Sequence, residues 1–280
     1  MIKMFRSTTL LYFGLIVLGV ILLILYSLTI EIMGEKTYPF GITPLHPVPV
    51  FLILILWIFI SAFIATRYAV ELSDRIGRLY TEECDPYTYI EKYESILKRR
   101  IGNGNMRNYV LINLSSGYLS IENSQKAKQI LDNVGNFQNN KAGIQSKVVF
   151  YNNLCSYFLQ VNDIANAEIM LENMRVALQD EKFPKQRYDW MYNYYTDKQY
   201  CINIEKGNYI GAEEVFLIQF NREKNMLGKV VAKYQLGKIY LHFNKIEEAI
   251  ESFDYVVNHG NKTYYVGKST DFIEQCKNNT

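Results

Sequence analysis

The chain has 280 residues, of which 49% are apolar, and its 30 Lys and Arg side chains nearly balance 28 Asp and Glu. The resulting net charge of +2 excludes a protein that binds nucleic acid or another polyanion through bulk positive charge. The apolar content, with only 16 Gly and 6 Pro, excludes a disordered or collagen-like chain.

Two long uncharged stretches occupy the N-terminal part of the chain. Residues 7–30 carry no charged side chain, and neither do residues 48–66. A bilayer core about 30 Å thick needs about 20 apolar residues of helix, so both stretches predict membrane-spanning helices. A buried core helix is the alternative, but such helices seldom run this long without a charge. A cleaved signal peptide is disfavoured because the first stretch is too long for a signal core and no small-x-small cleavage site follows it.

The positive charges predict how these spans are oriented. Lys3 and Arg6 precede the first span, and three arginines between residues 67 and 78 follow the second. Short basic flanks stay in the cytoplasm, so we expect a two-span protein of the cell membrane with both termini cytoplasmic. Residues 31–47 then form an external loop, whose prolines disfavour a helix or a central strand and indicate a stiff connector.

The remainder of the chain has the periodicity of helices. Apolar residues recur three and four positions apart, for example over residues 246–257, and no strand-like alternation is sustained. Asp85-Pro86 predicts the start of an amphipathic helix over residues 86–100, with Asp as the N-cap and Pro as the first helical residue. We therefore expect an all-α fold.

The clearest motif lies near the C-terminus, where Leu236-Gly237-x-x-Tyr240 is followed by Ala249-x-x-x-Phe253. This pattern resembles a tetratricopeptide repeat (TPR), a helix–turn–helix unit of about 34 residues. The resemblance implies that Gly237 and Ala249 are small because two antiparallel helices touch there. The three larger residues of the motif then fill the space around that contact.

The same frame fits three earlier segments. The equivalents of Ala249 are Ala127, Ala167 and Ala212. The equivalents of Gly237 are Ser115, Cys155 and Tyr200. The four alanines are 40, 45 and 37 residues apart, which exceeds a standard repeat and implies longer helices or loops. The third unit departs most from the pattern, because Tyr200 stands where a small residue is expected.

These observations predict an N-terminal transmembrane helical hairpin followed by a TPR-like α-solenoid. The predicted segments are 1–70 for the two spans and their Pro-rich external loop, 71–107 for a linker and capping helix, 108–263 for the repeats, and 264–280 for a C-terminal helix and tail. Stacked helix pairs bury a continuous core that no single repeat buries alone. An irregular helical bundle is the alternative fold.

In the TPR family the first helix of each unit lines a groove that binds a protein or peptide. The resemblance implies the following partner-facing residues: Ile112, Ser116, Asn152, Asn153, Ser156, Asp197, Lys198, Tyr234, Gln235 and Lys238. Asn side chains suit this role because their amide both donates to and accepts from an extended peptide backbone. The Lys and Asn set with which some family members clamp a terminal carboxylate is not assembled, and a solvated groove wall is the alternative interpretation of these residues.

No pattern for catalysis or cofactor binding is found in the sequence. The P-loop, dinucleotide-binding, metalloprotease and nucleophile-elbow motifs are all missing, so we expect neither an enzyme nor a bound cofactor or metal. The four cysteines are widely spaced, without a C-x-x-C pair, and are typical of reduced packing thiols.

The sequence therefore predicts a membrane-anchored TPR-like scaffold or adaptor that presents a protein- or peptide-binding groove at the cytoplasmic face, with the lipid bilayer as its second partner and no role for nucleic acid. One alternative is a peptide-sensing regulator, although related bacterial regulators usually carry a DNA-binding domain and none is present. Another is an accessory subunit of a membrane enzyme or transporter, because Ser61, Ala65 and Ala69 form a small-x-x-x-small series that permits close helix packing.

Overall fold

The computed structural model describes residues 11–21, 24, 47–98, 104–181, 183 and 190–278. Every regular element in these ranges is an α-helix, which confirms the all-α prediction for the described part of the chain. The chain divides into two compact units, Met1–Arg75 and Ile76–Thr280. The predicted external loop up to residue 46, the basic residues Lys3 and Arg6, and the two ends of the first predicted span lie outside the described residues.

The first unit contains helix α1 (Leu11–Ile21) and most of helix α2 (Pro47–Thr81). The indole Nε1 of Trp57 donates a hydrogen bond to the carbonyl oxygen of Leu15 over 2.6 Å. The Trp57 ring lies directly over Gly19, where any β-carbon would collide with it. The glycine therefore lets the second helix approach the first closely enough for this bond to form.

One helix in the described part of the chain, within α2 over Ile55–Thr81, is long and apolar enough to cross a membrane. Its large apolar side chains point outward: Leu56, Phe59 and Phe63 are 61%, 69% and 65% exposed. The small residues Ser61 and Ala65 are buried instead. This distribution is the inverse of an amphipathic helix in a water-soluble protein, which buries its large apolar face.

Helix α2 continues well beyond the apolar stretch. Residues 71–81, which the sequence assigns to a linker, extend the helix without a break to Thr81. Arg75 and Glu71 lie one helical turn apart in this extension, and Arg75 Nε forms an ion pair with Glu71 Oε1 at 3.2 Å. At 1.5 Å per residue, the 35 residues of α2 span about 52 Å, which is longer than a bilayer core of about 30 Å.

The second unit is built from ten further helices within its described residues. They are α3 (Pro86–Leu97), α4 (Asn105–Leu119), α5 (Ser124–Leu131), α6 (Lys141–Gln160), α7 (Ile164–Leu178), α8 (Trp190–Glu205), α9 (Ala212–Arg222), α10 (Met226–His242), α11 (Ile246–His259) and α12 (Tyr264–Asn278). Helix α3 starts as the sequence predicts, because the Asp85 carboxylate accepts from Thr88 N at 3.1 Å and Pro86 is the first helical residue. The C-terminal helix is also present where it is predicted.

Helices α4 to α11 form four successive pairs, and each pair turns in the same way. A residue with positive φ ends the first helix: Glu122, Asn162, Gly207 and Asn244. The next amide then donates to the carbonyl five residues back, as Lys245 N does to Tyr240 O over 2.9 Å, which is the Schellman arrangement. These turn residues are 40, 45 and 37 residues apart, and each precedes the alanine of its repeat, which is fully buried, by five residues. The backbone therefore repeats with the same spacing as the sequence.

The contact between α10 and α11 depends on a glycine, which has no side chain. A β-carbon at Gly237 would lie 2.5 Å from Cε1 of Phe253, which is far below a normal contact distance. Phe253, Leu236 and Ala249 around this point are all 0% exposed. The two helices therefore pack directly across Gly237, as the motif predicts.

The third pair accommodates the larger Tyr200. Helix α9 begins at Ala212, whereas in the other pairs the equivalent alanine is the fourth residue of its helix. Gly211, in the left-handed region with φ of 72°, lies beside the Tyr200 ring, where a β-carbon would be 3.3 Å from the hydroxyl oxygen. The first turn of the second helix is unwound here, and this makes room for the tyrosine.

Candidate functional site

A group of polar residues joins α8 to the end of α9, and we call Asp197, Gln219, Arg222 and Glu223 the polar cluster. Arg222 Nη2 lies 3.3 Å from Asp197 Oδ2 and 3.4 Å from Glu223 Oε1. Glu223 is held in turn by Asn225, whose Nδ2 donates to Oε2 over 3.0 Å. Gln219 lies one turn before Arg222 on the same side of α9.

The local fold explains why these side chains meet. Ala212, Phe216 and Gln219 are buried and follow one face of α9 at helical spacing. The helix ends at Arg222, and Asn225 caps α10 by accepting from Gly228 N over 2.8 Å. The connection between the two helices is therefore short, and it fixes the carboxylate of Glu223 beside Arg222.

The polar cluster contains hydrogen-bonding atoms that are buried and have no partner. They are Asp197 Oδ1, Gln219 Oε1 and Arg222 Nε, and Gln235 Oε1 on α10 is in the same condition. Leaving such an atom unpaired costs about 1–3 kcal/mol, and more when the group is charged. Burial raises the pKa of Asp197 to about 6, against the opposing effect of Arg222 and Lys198. The cluster therefore offers one donor and several acceptors that its own fold does not satisfy.

The predicted partner-facing residues on α6 bond within the array. Asn153 is buried, and its amide nitrogen donates to Ile112 O over 2.9 Å and lies 2.8 Å from Ser116 Oγ. Asn152 Nδ2 lies 3.4 Å from Asn153 Oδ1, and Ser156 Oγ donates to Asn152 O over 2.9 Å. The bonds of Asn153 join α6 to α4, and binding of a partner by this set stays a prediction.

The remaining predicted residues lie on α8 and α10. Lys238 Nζ pairs with Glu205 Oε1 at 2.5 Å, and Lys198 is half-buried beside Cys155 and Cys201. Tyr234 is only 9% exposed, and its ring centroid lies 5.0 Å from that of Tyr265 on α12. Among the ten residues predicted to face a partner, Asp197 and Gln235 hold the buried unpaired atoms.

Sequence reasoning did not find Gln219, Arg222 and Glu223, because the TPR resemblance points to the first helix of each pair, whereas these residues lie in the second helix, α9, or directly after it. The sequence nevertheless contains one indication of this site. Gln219 continues the series of Ala212 and Phe216 at i, i+4 and i+7, so a polar residue stands where the helix pattern requires an apolar one.

Within the described ranges, no group of three His, Cys, Asp or Glu side chains is close enough to hold a metal ion. The four cysteines all lie in these ranges and form no disulfide. Comparison of the chain with protein-family models, with curated proteins and with solved structures gives no match.

Proposed function

We propose that this protein is a membrane-anchored adaptor, in which two transmembrane helices hold an array of TPR-like helix pairs at the cytoplasmic face of the cell membrane. The array binds a protein or peptide partner and catalyses no reaction. The observation that carries this proposal is the polar cluster, because its buried unpaired donor and acceptors are groups that a ligand would satisfy.

The surface of α2 supports the membrane anchor. Only 13% of the apolar stretch of this helix is buried, so it differs from the core helix of a water-soluble protein. Exposed side chains such as Phe59 and Phe63 form a large apolar surface that lipid tails would cover. The close contact of Trp57 with Leu15 and Gly19 supports a hairpin in which α1 belongs to the first span.

The turns between paired helices support the TPR-like interpretation. All four pairs share the left-handed turn residue, the buried alanine five positions later and the same hydrogen bond across the turn. A repeat that had arisen by chance in the sequence would not be expected to reproduce its spacing in the backbone. Because the pairs repeat, the first helices of successive pairs together form one surface of the array.

The chemistry of the polar cluster favours a peptide amide as the bound group. A main-chain amide presents one N–H donor beside one C=O acceptor. Asp197 Oδ1 or Gln219 Oε1 would accept from the N–H, and Arg222 Nε would donate to the C=O. Hydrogen bonds to charged groups contribute about 1.5–3 kcal/mol, so one such amide offsets the cost of the unpaired atoms.

The test is affinity purification of the tagged full-length protein in mild detergent, with quantitative mass spectrometry of what is retained. Gln219→Met removes the amide but keeps the size of the side chain, so the variant should fold and lose the partner. Glu168→Met, at an exposed ion pair with Lys206, is the matched control and should keep it. Recovery of the same proteins or peptides with Gln219→Met as with the wild type would contradict the proposal.

A further inference from the structure

The segment directly after α2 is bonded to the turn that precedes α12, although these segments are about 177 residues apart in sequence. Lys262 N donates to Cys84 O over 3.2 Å, and Asn261 Nδ2 donates to Glu83 O over 2.7 Å. Lys262 Nζ also pairs with Asp85 Oδ2 at 2.6 Å. Burial alone would raise the pKa of Asp85, but the bonds from Lys262 and Thr88 hold it below its usual value, so the Asp85 carboxylate is charged at neutral pH.

An apolar contact lies beneath these polar bonds. Cys84 is 0% exposed and belongs to a core cluster with Val230, Phe253 and Ile273. Burial raises the pKa of the Cys84 thiol to about 11. Tyr80 packs against the same cluster, and its hydroxyl oxygen lies 2.8 Å from Ser120 Oγ. The segment that follows the membrane helix is therefore part of the core of the second unit.

The fastened segments cover residues that the sequence predicts to face a partner. The Tyr234 ring on α10 lies against Tyr264, Tyr265 and Phe272 of α12, with the Tyr265 centroid at 5.0 Å. On α4, the Ser116 carbonyl accepts from the Tyr80 hydroxyl over 3.3 Å. A partner that used Tyr234 or Ser116 would first have to displace α12 or the end of α2.

Both fastened segments contain a residue in a left-handed backbone conformation. Cys84 has a φ of 49° and Asn261 has a φ of 47°. Residues with a β-carbon avoid this region, a cysteine more strongly than an asparagine, so the conformation persists only while surrounding contacts hold it. The bonds between the two segments therefore hold both residues in this conformation.

We propose that Tyr80–Asp85 and Asn261–Tyr264 form an intramolecular clasp, which must open before a partner reaches the first-helix surface of α4 and α10. In the closed state the end of the membrane helix competes with the partner for this surface. The clasp thereby couples the membrane helix to the accessibility of the array. This inference rests on the proposed function for the identity of the surface, but the opening of the clasp is measured without any partner.

Two native cysteines make the test specific. Cys84 lies in the clasp, whereas Cys155 lies in α6, and both are 0% exposed with a thiol pKa of about 11. The full-length protein in detergent micelles is treated with N-ethylmaleimide, and peptide mass spectrometry follows the alkylation of each cysteine separately. Because both thiols are fully buried, Cys155 reports global unfolding and Cys84 additionally reports opening of the clasp.

The variant is Lys262→Glu, which places a negative charge against Asp85. Its matched control is Lys206→Glu, because Lys206 and Lys262 are 51% and 50% exposed and each pairs with a carboxylate of another element, Glu168 in the case of Lys206. We expect Lys262→Glu to accelerate alkylation of Cys84 by roughly fivefold or more, the effect of losing one good ion pair, and to leave Cys155 unchanged. Lys206→Glu should change neither rate.

Hydroxyl-radical footprinting of Tyr234 in the same samples supplies the second readout. Oxidation of Tyr234 should rise with Lys262→Glu and not with Lys206→Glu, because opening of the clasp uncovers α10. Tyr80→Phe, which removes the hydroxyl contacts with Ser120 and with the Ser116 carbonyl, should shift both readouts in the same direction by less. An unchanged Cys84 rate, equal acceleration of Cys84 and Cys155, or a protected Tyr234 beside a reactive Cys84 would each overturn the clasp. A missing partner in the affinity experiment would leave these rates unaffected and would count against the proposed function alone.

Discussion

Substituting alanine for Gly237 tests the close packing of α10 on α11. In a helix interior this substitution normally stabilises by about 1 kcal/mol, because alanine is the better helix former. At Gly237, however, the new β-carbon would lie 2.5 Å from Cε1 and 2.6 Å from Cζ of Phe253. The ring is fully buried and stacks on Phe272 with centroids 5.0 Å apart, so it has little room to move. Overpacking of this kind costs about 1–3 kcal/mol.

The assay is thermal unfolding, followed by circular dichroism, of residues 76–280, which correspond to the second compact unit. For a domain of this size 1 kcal/mol shifts the Tm by roughly 2–4 °C, so Gly237→Ala should lower the Tm by several degrees. Gly267→Ala is the matched control, since this glycine lies in α12 with nothing within 4 Å of its would-be β-carbon. The control should increase the free energy of unfolding by about 0.5–1 kcal/mol and therefore raise the Tm slightly. An equal rise for both variants would refute the direct contact of the two helices across Gly237.

Three further predictions concern the same fragment. Residues 76–280 made alone should be soluble without detergent and strongly helical by circular dichroism, because the unit buries its own core; appreciable sheet content would contradict the fold. Ala249→Leu should destabilise the fragment by about 1–3 kcal/mol, because Ala249 is fully buried. Glu248→Leu, at an exposed position, should be nearly neutral. Equally mild effects of the two substitutions on the Tm would contradict the repeat alignment. The raised pKa of Asp197, about 6, means that the folded state binds the proton more tightly than the unfolded state, so stability falls as pH rises from about 4 to about 6. The Tm of Asp197→Asn should therefore rise relative to the wild type over this pH interval, and a difference in Tm that does not change with pH would contradict the buried carboxylate.

Several features of the fold could be predicted because they depend on neighbours in sequence. The N-cap Asp85 and Pro86 are adjacent, and their roles at the start of α3 follow from short-range backbone chemistry. Gly237 and Phe253 lie in one helix pair, so their close contact follows from a local motif. The all-α character follows from apolar periodicity alone.

Other features depend on contacts that no local pattern encodes. The unwound first turn of α9 results from the fit of Tyr200 against Gly211, which is a matter of shape rather than of propensity. Residues 71–81 continue α2 because nothing in them stops a helix, although they follow the apolar stretch. The clasp joins Asp85 to Lys262 across almost the whole length of the second unit, and no sequence motif relates one residue to the other.

The candidate site was predicted in part for the same reason. Asp197 and Gln235 could be named because the repeat frame identifies first-helix positions. The positions of Gln219 and Arg222 depend on how α9 packs on its neighbours, and this packing buries Gln219 Oε1 and Arg222 Nε without a partner.

Cysteine labelling in intact cells tests the central claim, a two-span anchor that holds the helical array in the cytoplasm. Thr43→Cys places a thiol in the predicted external loop, and Glu91→Cys places one at an exposed position of α3. With a membrane-impermeant maleimide, Thr43→Cys should be labelled in intact cells, whereas Glu91→Cys should be labelled only after the membrane is permeabilised. Labelling of Glu91→Cys in intact cells, or protection of Thr43→Cys until permeabilisation, would contradict the account.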